Sequence, residues 1–287
     1  MSNRKTKTPK APKAPPVPVL YARAFSSAYA VSGDFVKDVK TFSKIGKFVK
    51  SLCLTVKIAF FEEGAIFEFK DNEESVKMRI DIKQEDISEY WCGSYSGFTM
   101  SHTKFCEVFV NNVNYATLTN IEFFVDGEDL SFKFNHKGEF SKTNEIKHSV
   151  SAPSDHFLQD EEYIRNFNGH TVASKVSLSD LRGMLSINNK KSNSVIFSAE
   201  CNGKLNMLIK STTCENLLEY NSDLIEVSYP TSGLTVNLHK LSLSLGTRFG
   251  DTFDLLLGSD TVDFIYTGTS MTTIIEFTSA PPPPPAS

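Results

Sequence analysis

No stretch of this 287-residue chain approaches the ~20 consecutive apolar residues of a bilayer-spanning helix. The opening segment MSNRKTKTPKAPKAPPVPVL is basic but has no apolar core of the kind a secretory signal needs, so an intracellular, membrane-free protein is expected. Cysteines number five (Cys53, Cys92, Cys106, Cys201, Cys214), an odd count without a C-x-x-C pair. That pattern supplies neither a disulfide framework nor a zinc site, and it predicts thiols held in a reducing compartment. The six histidines (His102, His136, His148, His156, His170, His239) are scattered, and H-E-x-x-H, G-x-S-x-G and P-loop patterns are missing. The acids Asp155 and Asp160 to Glu162 stand in a polar stretch without zinc or calcium spacing and read as solvated. No catalytic residue, metal site or cofactor is expected.

What the chain does contain is one structural order stated twice. An amphipathic segment (33–49) leads into the hairpin 54–69, and a second (100–111) leads into the hairpin 120–134. Further on, 178–191 precedes 194–211, and 238–249 precedes 251–268. Each hairpin has a glycine at its expected turn: Gly64, Gly127, Gly203 and Gly258. The hairpins alternate apolar and polar residues, as Ile121, Phe123 and Val125 do, and a sheet wet on one face must bury the other under helices. The expected fold class is α+β: two similar domains of antiparallel sheets with two helices each.

Composition marks the domain limits. Residues 1–19 form a basic, proline-rich arm, with Arg4, Lys5, Lys7, Lys10 and Lys13, five prolines and no acid. The domains are expected at 20–150 and 169–280, joined by an acidic linker at 151–168 that is longer than ordinary connections. Residues 281–287 form a proline tail suited to an extended polyproline helix.

Charge is segregated. The chain has a formal net charge of −4, yet cations gather on the expected helices. In 33–49 the apolar residues Phe35, Val39, Phe42, Ile45 and Val49 make one stripe, while Lys37, Lys40, Lys44 and Lys47 make another. His102 and Lys104 stand on the second helix, Arg182, Lys190 and Lys191 on or after the third, and Lys240 and Arg248 on the fourth. Such a basic face suits phosphates held by charge without base reading; a solvated lysine face is the plainer alternative.

At this level the chain resembles the DNA sliding clamps of the proliferating cell nuclear antigen type, over about residues 20–281. Phe69 to Ile82 (FKDNEESVKMRIDI) is similar to the family's D-S-S-H-V-S-L segment, with Asp71 and Val76 in matching places. Ile274 to Pro281 (IIEFTSAP) is similar to its final strand closing in Y-L-A-P. The resemblance implies repeated βαβββ units, a ring of copies joined head to tail (a homotrimer), helices lining the hole and double-stranded DNA within. It implies a processivity factor that docks DNA polymerase and other replication proteins through short peptides, at sites of DNA replication in a nucleus or viral compartment. By the same resemblance, the lysine stripe with Lys104, Arg182, Lys190, Lys191, Lys240 and Arg248 would face the duplex. The peptide groove would use Ser75, Val76, Phe157, Leu158, Phe277, Ser279, Ala280 and Pro281. Subunits would join through edge strands holding Ile146 and His148 on one side and Leu205, Met207 and Ile209 on the other.

The sequence also departs from the family. Ser75 stands near the family's histidine with one extra loop residue, and the arm and proline tail are atypical, the tail replacing an acidic end. These differences would suit a divergent clamp of a large DNA virus or a distant eukaryote. Heterotrimer and monomer stay open beside homotrimer. The alternative function is a β-rich assembly protein whose basic arm touches nucleic acid.

Overall fold

The computed structural model describes residues 29–279, apart from 53, 74, 112, 128, 139–140, 148–170, 187–191, 201–203, 212–214, 222–224 and 228–230. The first half runs β1 (Val31–Phe35), α1 (Thr41–Leu52), β2 (Thr55–Phe61), β3 (Gly64–Lys70), β4 (Val76–Lys83), β5 (Ser88–Cys92) and β6 (Ser96–Met100). It continues with α2 (His102–Cys106), prolonged by a π turn Glu107–Asn111, then β7 (Leu118–Asp126), β8 (Asp129–His136) and β9 (Ser141–Lys147). The second half repeats that order with β10 (Thr171–Ser177), α3 (Leu178–Ser186), β11 (Ser192–Glu200), β12 (Lys204–Ser211), β13 (Glu215–Asn221) and β14 (Ile225–Val227). It ends with β15 (Thr231–Asn237), α4 (Leu238–Thr247), β16 (Thr252–Leu257), β17 (Thr261–Thr267) and β18 (Thr272–Thr278). The halves are two similar units of antiparallel sheet, each with two helices among the described residues.

Three sheets carry the strands. A five-stranded sheet has the order β5-β1-β7-β8-β9, and a four-stranded one β13-β12-β11-β15. The third, β14-β10-β16-β17-β18-β4-β3-β2-β6, has nine strands and crosses from one half to the other where β18 pairs with β4. It consists of five strands from the second half followed by four from the first. Its five match the order of the free five-stranded sheet and its four match the free four-stranded one, so the β18–β4 seam has an unmatched counterpart in the edges β9 and β13.

Strands bury alternate residues, as β4 does, because successive side chains point to opposite faces. The helices cover the buried faces and adjoin in the order α2-α1-α4-α3. Phenylalanines fill the space beneath them: Phe42 of α1 stacks on Phe109 at 5.2 Å, and Phe35 on Phe123 at 4.6 Å. Gly46 lets α1 approach the π turn, where an added Cβ would lie 2.1 Å from Val110 Cγ2.

Three expectations need correction. Residues 33–35 are not the start of a helix but the end of β1, and α1 begins only at Thr41. Asp38 intervenes with φ of 51°, a left-handed conformation that an α-helix does not pass through. The apolar stripe Phe35, Val39, Phe42, Ile45 and Val49 is nonetheless buried throughout, its first members by the strand and turn. Gly64 and Gly127 turn with positive φ as expected, but Gly258 does not, and Gly203 lies outside the described residues. The fourth helix is shorter than the expected 238–249, α4 closing on Arg248 with φ of 54°, and the end of the expected third, 187–191, lies outside the described residues.

Candidate nucleic-acid interface and docking edges

The α2-α1-α4-α3 layer carries most of the expected cations, and several of them have partners within the fold. On α1 a lysine spacing of three and four residues keeps the ammonium groups opposite the buried Phe42, Ile45, Phe48 and Val49. Lys40, one residue before the helix, and Lys47 are exposed and form no ion pair among the described residues. Lys50 is exposed on the same side; sequence reading missed it by ending the helix at Val49, although its spacing from Lys47 was the signal. Arg182 of α3 is half-buried. Lys190 and Lys191 lie outside the described residues.

Four of the expected cations have local work. Lys37 stands on the β1–α1 turn and reaches Asp86 at 3.0 Å. Lys104 pairs with Glu107 one turn on, at 3.2 Å. Lys44 donates to the main-chain oxygen of Arg248 at 2.7 Å, satisfying a carbonyl at the C-terminus of α4. This ties the first half to the second.

Lys240 is the clearest departure from a DNA-facing role. At the start of α4, its Nζ donates to Asp71 Oδ2 at 2.7 Å, Glu73 Oε2 at 2.6 Å and Ser75 Oγ at 2.6 Å, all on the β3–β4 loop. Asp71 Oδ1 also accepts from the backbone N–H groups of Ser75 (2.8 Å) and Val76 (3.2 Å). Burial works against the Asp71 charge, but the hydrogen bonds from Lys240, Ser75 and Val76 outweigh it and hold the carboxyl below its ordinary value. Burial likewise opposes the Lys240 charge, and the bonds and charges of Asp71 and Glu73 outweigh it, raising the ammonium pKa. All three donors of this lysine are committed to the seam between halves. The resemblance pointed to Asp71, but not to a lysine 169 residues away as its partner.

A second clasp lies at the other end of the seam. Asp38 Oδ2 accepts from Thr269 Oγ1 at 2.7 Å, Ser270 N at 3.1 Å and Ser270 Oγ at 3.0 Å, on the β17–β18 turn. Burial would raise its pKa; these hydrogen bonds more than offset that and lower it.

The expected peptide groove is only partly described. Ser75 is half-buried, and Ser279 accepts from the backbone N–H of Thr235 at 3.0 Å. Val76 and Phe277 are register partners across the seam and are sealed in the core, at 0% and 1% exposure. Their side chains therefore cannot line an open groove, a correction that follows from the alternation of β4 and β18. Phe157, Leu158, Ala280 and Pro281 lie outside the described residues.

The expected edges are half right. β9, which contains Ile146, is a free edge of its sheet, while His148 lies outside the described residues. β12, which contains Leu205, Met207 and Ile209, is paired on both sides, by β11 and β13, and these three side chains are buried in the core. The edge on that side is β13, where Leu217 stands 56% exposed.

No family model and no curated protein matches the sequence. Among solved structures the chain is similar to the proliferating cellular nuclear antigen of Entamoeba histolytica, with a TM-score of 0.66 at 11% identity. The match covers 88% of this chain and 99% of that one. At so low an identity the likeness speaks to architecture, and it agrees with the repeated order, the seam and the helix layer: this chain has the fold of the clamps of the proliferating cell nuclear antigen type.

Proposed function

We propose that the protein is a sliding clamp, a DNA polymerase processivity factor that encircles duplex DNA as a ring of identical copies. One observation carries the reading. The seam β18–β4 joins five strands to four within the chain, and the edges β9 and β13 end a second five and a second four. Pairing β9 of one copy with β13 of the next would rebuild the same nine-stranded sheet between copies. Edges that differ on the two sides pair head to tail, and such contacts form a ring when the rotation between copies closes. A homotrimer is the proposed closure.

In that ring the helix layer faces inward. Lys40, Lys47, Lys50 and Arg182, with Lys190, Lys191 and Arg248, meet phosphates; Lys37, Lys44, Lys104 and Lys240 chiefly hold the wall together. Contacts by long ammonium side chains neutralise the backbone without reading bases, which suits a ring that must move. The protein acts by topology and docking, not by bond chemistry. Polymerase and other replication proteins bind through short peptides near Ser75, Ser279 and the segments holding Phe157, Leu158, Ala280 and Pro281, inside the cell where DNA is copied.

The test begins with mass. Light scattering across a dilution series should give a species about three times 32.0 kDa. Substituting Lys40→Glu and Lys47→Glu together should then reduce processive synthesis on primed DNA while thermal stability stays within about 0.5 kcal/mol, as for exposed sites generally. A monomer at every concentration, or processivity untouched by the double variant, would overturn the reading.

A further inference from the structure

The five-stranded sheet has a second face, turned away from the helices, that the clamp reading does not use. On it opens a cleft of about 400 Å³, lined by Tyr29, Asp34, Glu89, Glu122, Phe124 and Lys133. The register explains the lining. Ser32 of β1 faces Trp91 on β5 and Phe124 on β7, so one cross-strand row holds two aromatic rings flanking a small residue. In the neighbouring row Asp34 faces Glu122, and Glu89 stands close by in the bulge of β5. Tyr29 packs on Phe124 with ring centroids 5.1 Å apart, while Trp91 is left 54% exposed.

The charge of the cleft is unbalanced. Lys133 pairs with Glu122 at 3.0 Å and also acts by charge on Asp34, and Asn135 donates to Glu122 at 2.6 Å. Asp34 Oδ2 accepts from Asn120 at 2.7 Å, but its Oδ1 is buried and accepts no hydrogen bond among the described residues. Three carboxylates thus share one ammonium beside an aromatic shelf. That combination suits an extended segment carrying cations and prolines, since proline-rich chains lie on aromatic grooves at little entropic cost.

Such a segment enters the sheet at the cleft itself. Residues 1–28 lead directly into Tyr29, a lining residue, and carry Arg4, Lys5, Lys7, Lys10, Lys13 and Arg23 with no acid. Their prolines are Pro9, Pro12, Pro15, Pro16 and Pro18. We propose that this basic, proline-rich N-terminal arm docks in cis on the cleft of its own chain, with its cations on Asp34, Glu89 and Glu122 and its apolar residues on Tyr29, Phe124 and Trp91. Tethering decides for the arm over a free partner. A short linker sets an effective concentration in the millimolar range, so contacts too weak to recruit a separate peptide still hold an attached one. Arg23 lies six residues before Tyr29, within about 20 Å of extended chain. The proposal is independent of ring formation, because cleft and arm belong to one copy.

Trp91 is the sole tryptophan and reports on this face. The test compares acrylamide quenching of its fluorescence in the full chain and in a full-length variant with all six arm cations changed to Gln, which leaves the folded units untouched. At low salt the variant should be quenched about twofold more strongly than the wild type. Raising salt to about 1 M, where charges are screened beyond ~3 Å, should erase the difference. The double variant D34N/E89Q should behave like the arm variant at low salt. Equal quenching of wild type and arm variant at low salt would overturn the proposal. So would shielding that disappears on dilution, which would place the arm on a second copy. Weaker DNA binding by the arm variant with Trp91 unmoved would likewise overturn it and assign the arm to nucleic acid.

Discussion

The chain contains one closed seam and the two halves of an open one. At the closed seam β18 lies against β4, Val76 and Phe277 are sealed, and three polar clasps cross over: Lys240 to the 71–75 loop, Asp38 to Thr269 and Ser270, and Lys44 to the end of α4. At the open one β9 and β13 end their sheets, and Leu217 stands in solvent. The two sites are built from strands in the same order. What differs is that the chain supplies both strands of the closed seam and, among the described residues, no partner for β9 or β13; in the proposed ring the next copy supplies it, with the closed seam as the template.

The largest effect is expected from spoiling the open edge. Leu217→Asp replaces an apolar contact with a charge that would have to be desolvated on pairing, at a cost of about 3 kcal/mol, or roughly two orders of magnitude in association. Sedimentation or light scattering should find protomers where the ring proposed for the wild type would give trimers, and the melting temperature of the dilute protomer should not move. If the assembly persists unchanged, β13 is not the pairing edge.

Next comes the closed seam. Asp71→Ala leaves Lys240 with Ser75 Oγ and one exposed carboxylate, Glu73, and it deprives the N–H groups of Ser75 and Val76 of their acceptor. Loss of a largely buried acceptor for charged and backbone donors should destabilise the protein by about 2 kcal/mol, read by urea denaturation. Glu73→Ala removes the exposed partner from the same lysine and should cost less than about 1 kcal/mol. Equal effects would mean that the seam is held by bulk charge and not by the Asp71 geometry.

Much of this contrast was legible in sequence, and some of it was beyond reach. The doubled order of elements and the buried stripe of Phe42, Ile45 and Val49 follow from local periodicity, which hydrophobic burial enforces residue by residue. The start of α1 did not follow, because the apolar spacing runs unbroken through Asp38 while the backbone reverses there. Edges were hidden for a different reason: Leu205, Met207 and Ile209 alternate as any strand does, and alternation reports a buried face, not an unpaired side. Lys240 looked like its neighbours on the basic helices. Its partners come from residues 71–75, a contact of tertiary structure that no spacing encodes.

Acid and alkali should loosen the closed seam from opposite sides. Asp71 and Asp38 are held below the ordinary carboxylate pKa of about 3.9, so their stabilisation is present above that value and is lost as pH falls through their lowered native values. Lys240 is raised above about 10.4, so its share is complete below that value and is lost as pH climbs through the raised one. Denaturation midpoints should therefore be insensitive to these clasps between about pH 6 and 9. Asp71→Asn should flatten the acid limb relative to wild type; an unchanged limb would remove Asp71 from the cause.

The smallest effect separates charge from backbone at the second clasp. Asp38 combines a left-handed φ of 51° with three hydrogen bonds accepted by Oδ2. Asparagine tolerates that backbone region nearly as well and keeps a carbonyl acceptor, whereas alanine loses both advantages. Asp38→Asn should thus cost about 0.5 kcal/mol and Asp38→Ala about 1.5 kcal/mol in urea denaturation, the difference measuring the turn and the lost acceptor together. If the two variants are equally destabilised, the carboxylate charge is what holds the β17–β18 turn to the first half, and the seam is more electrostatic than its short hydrogen bonds imply.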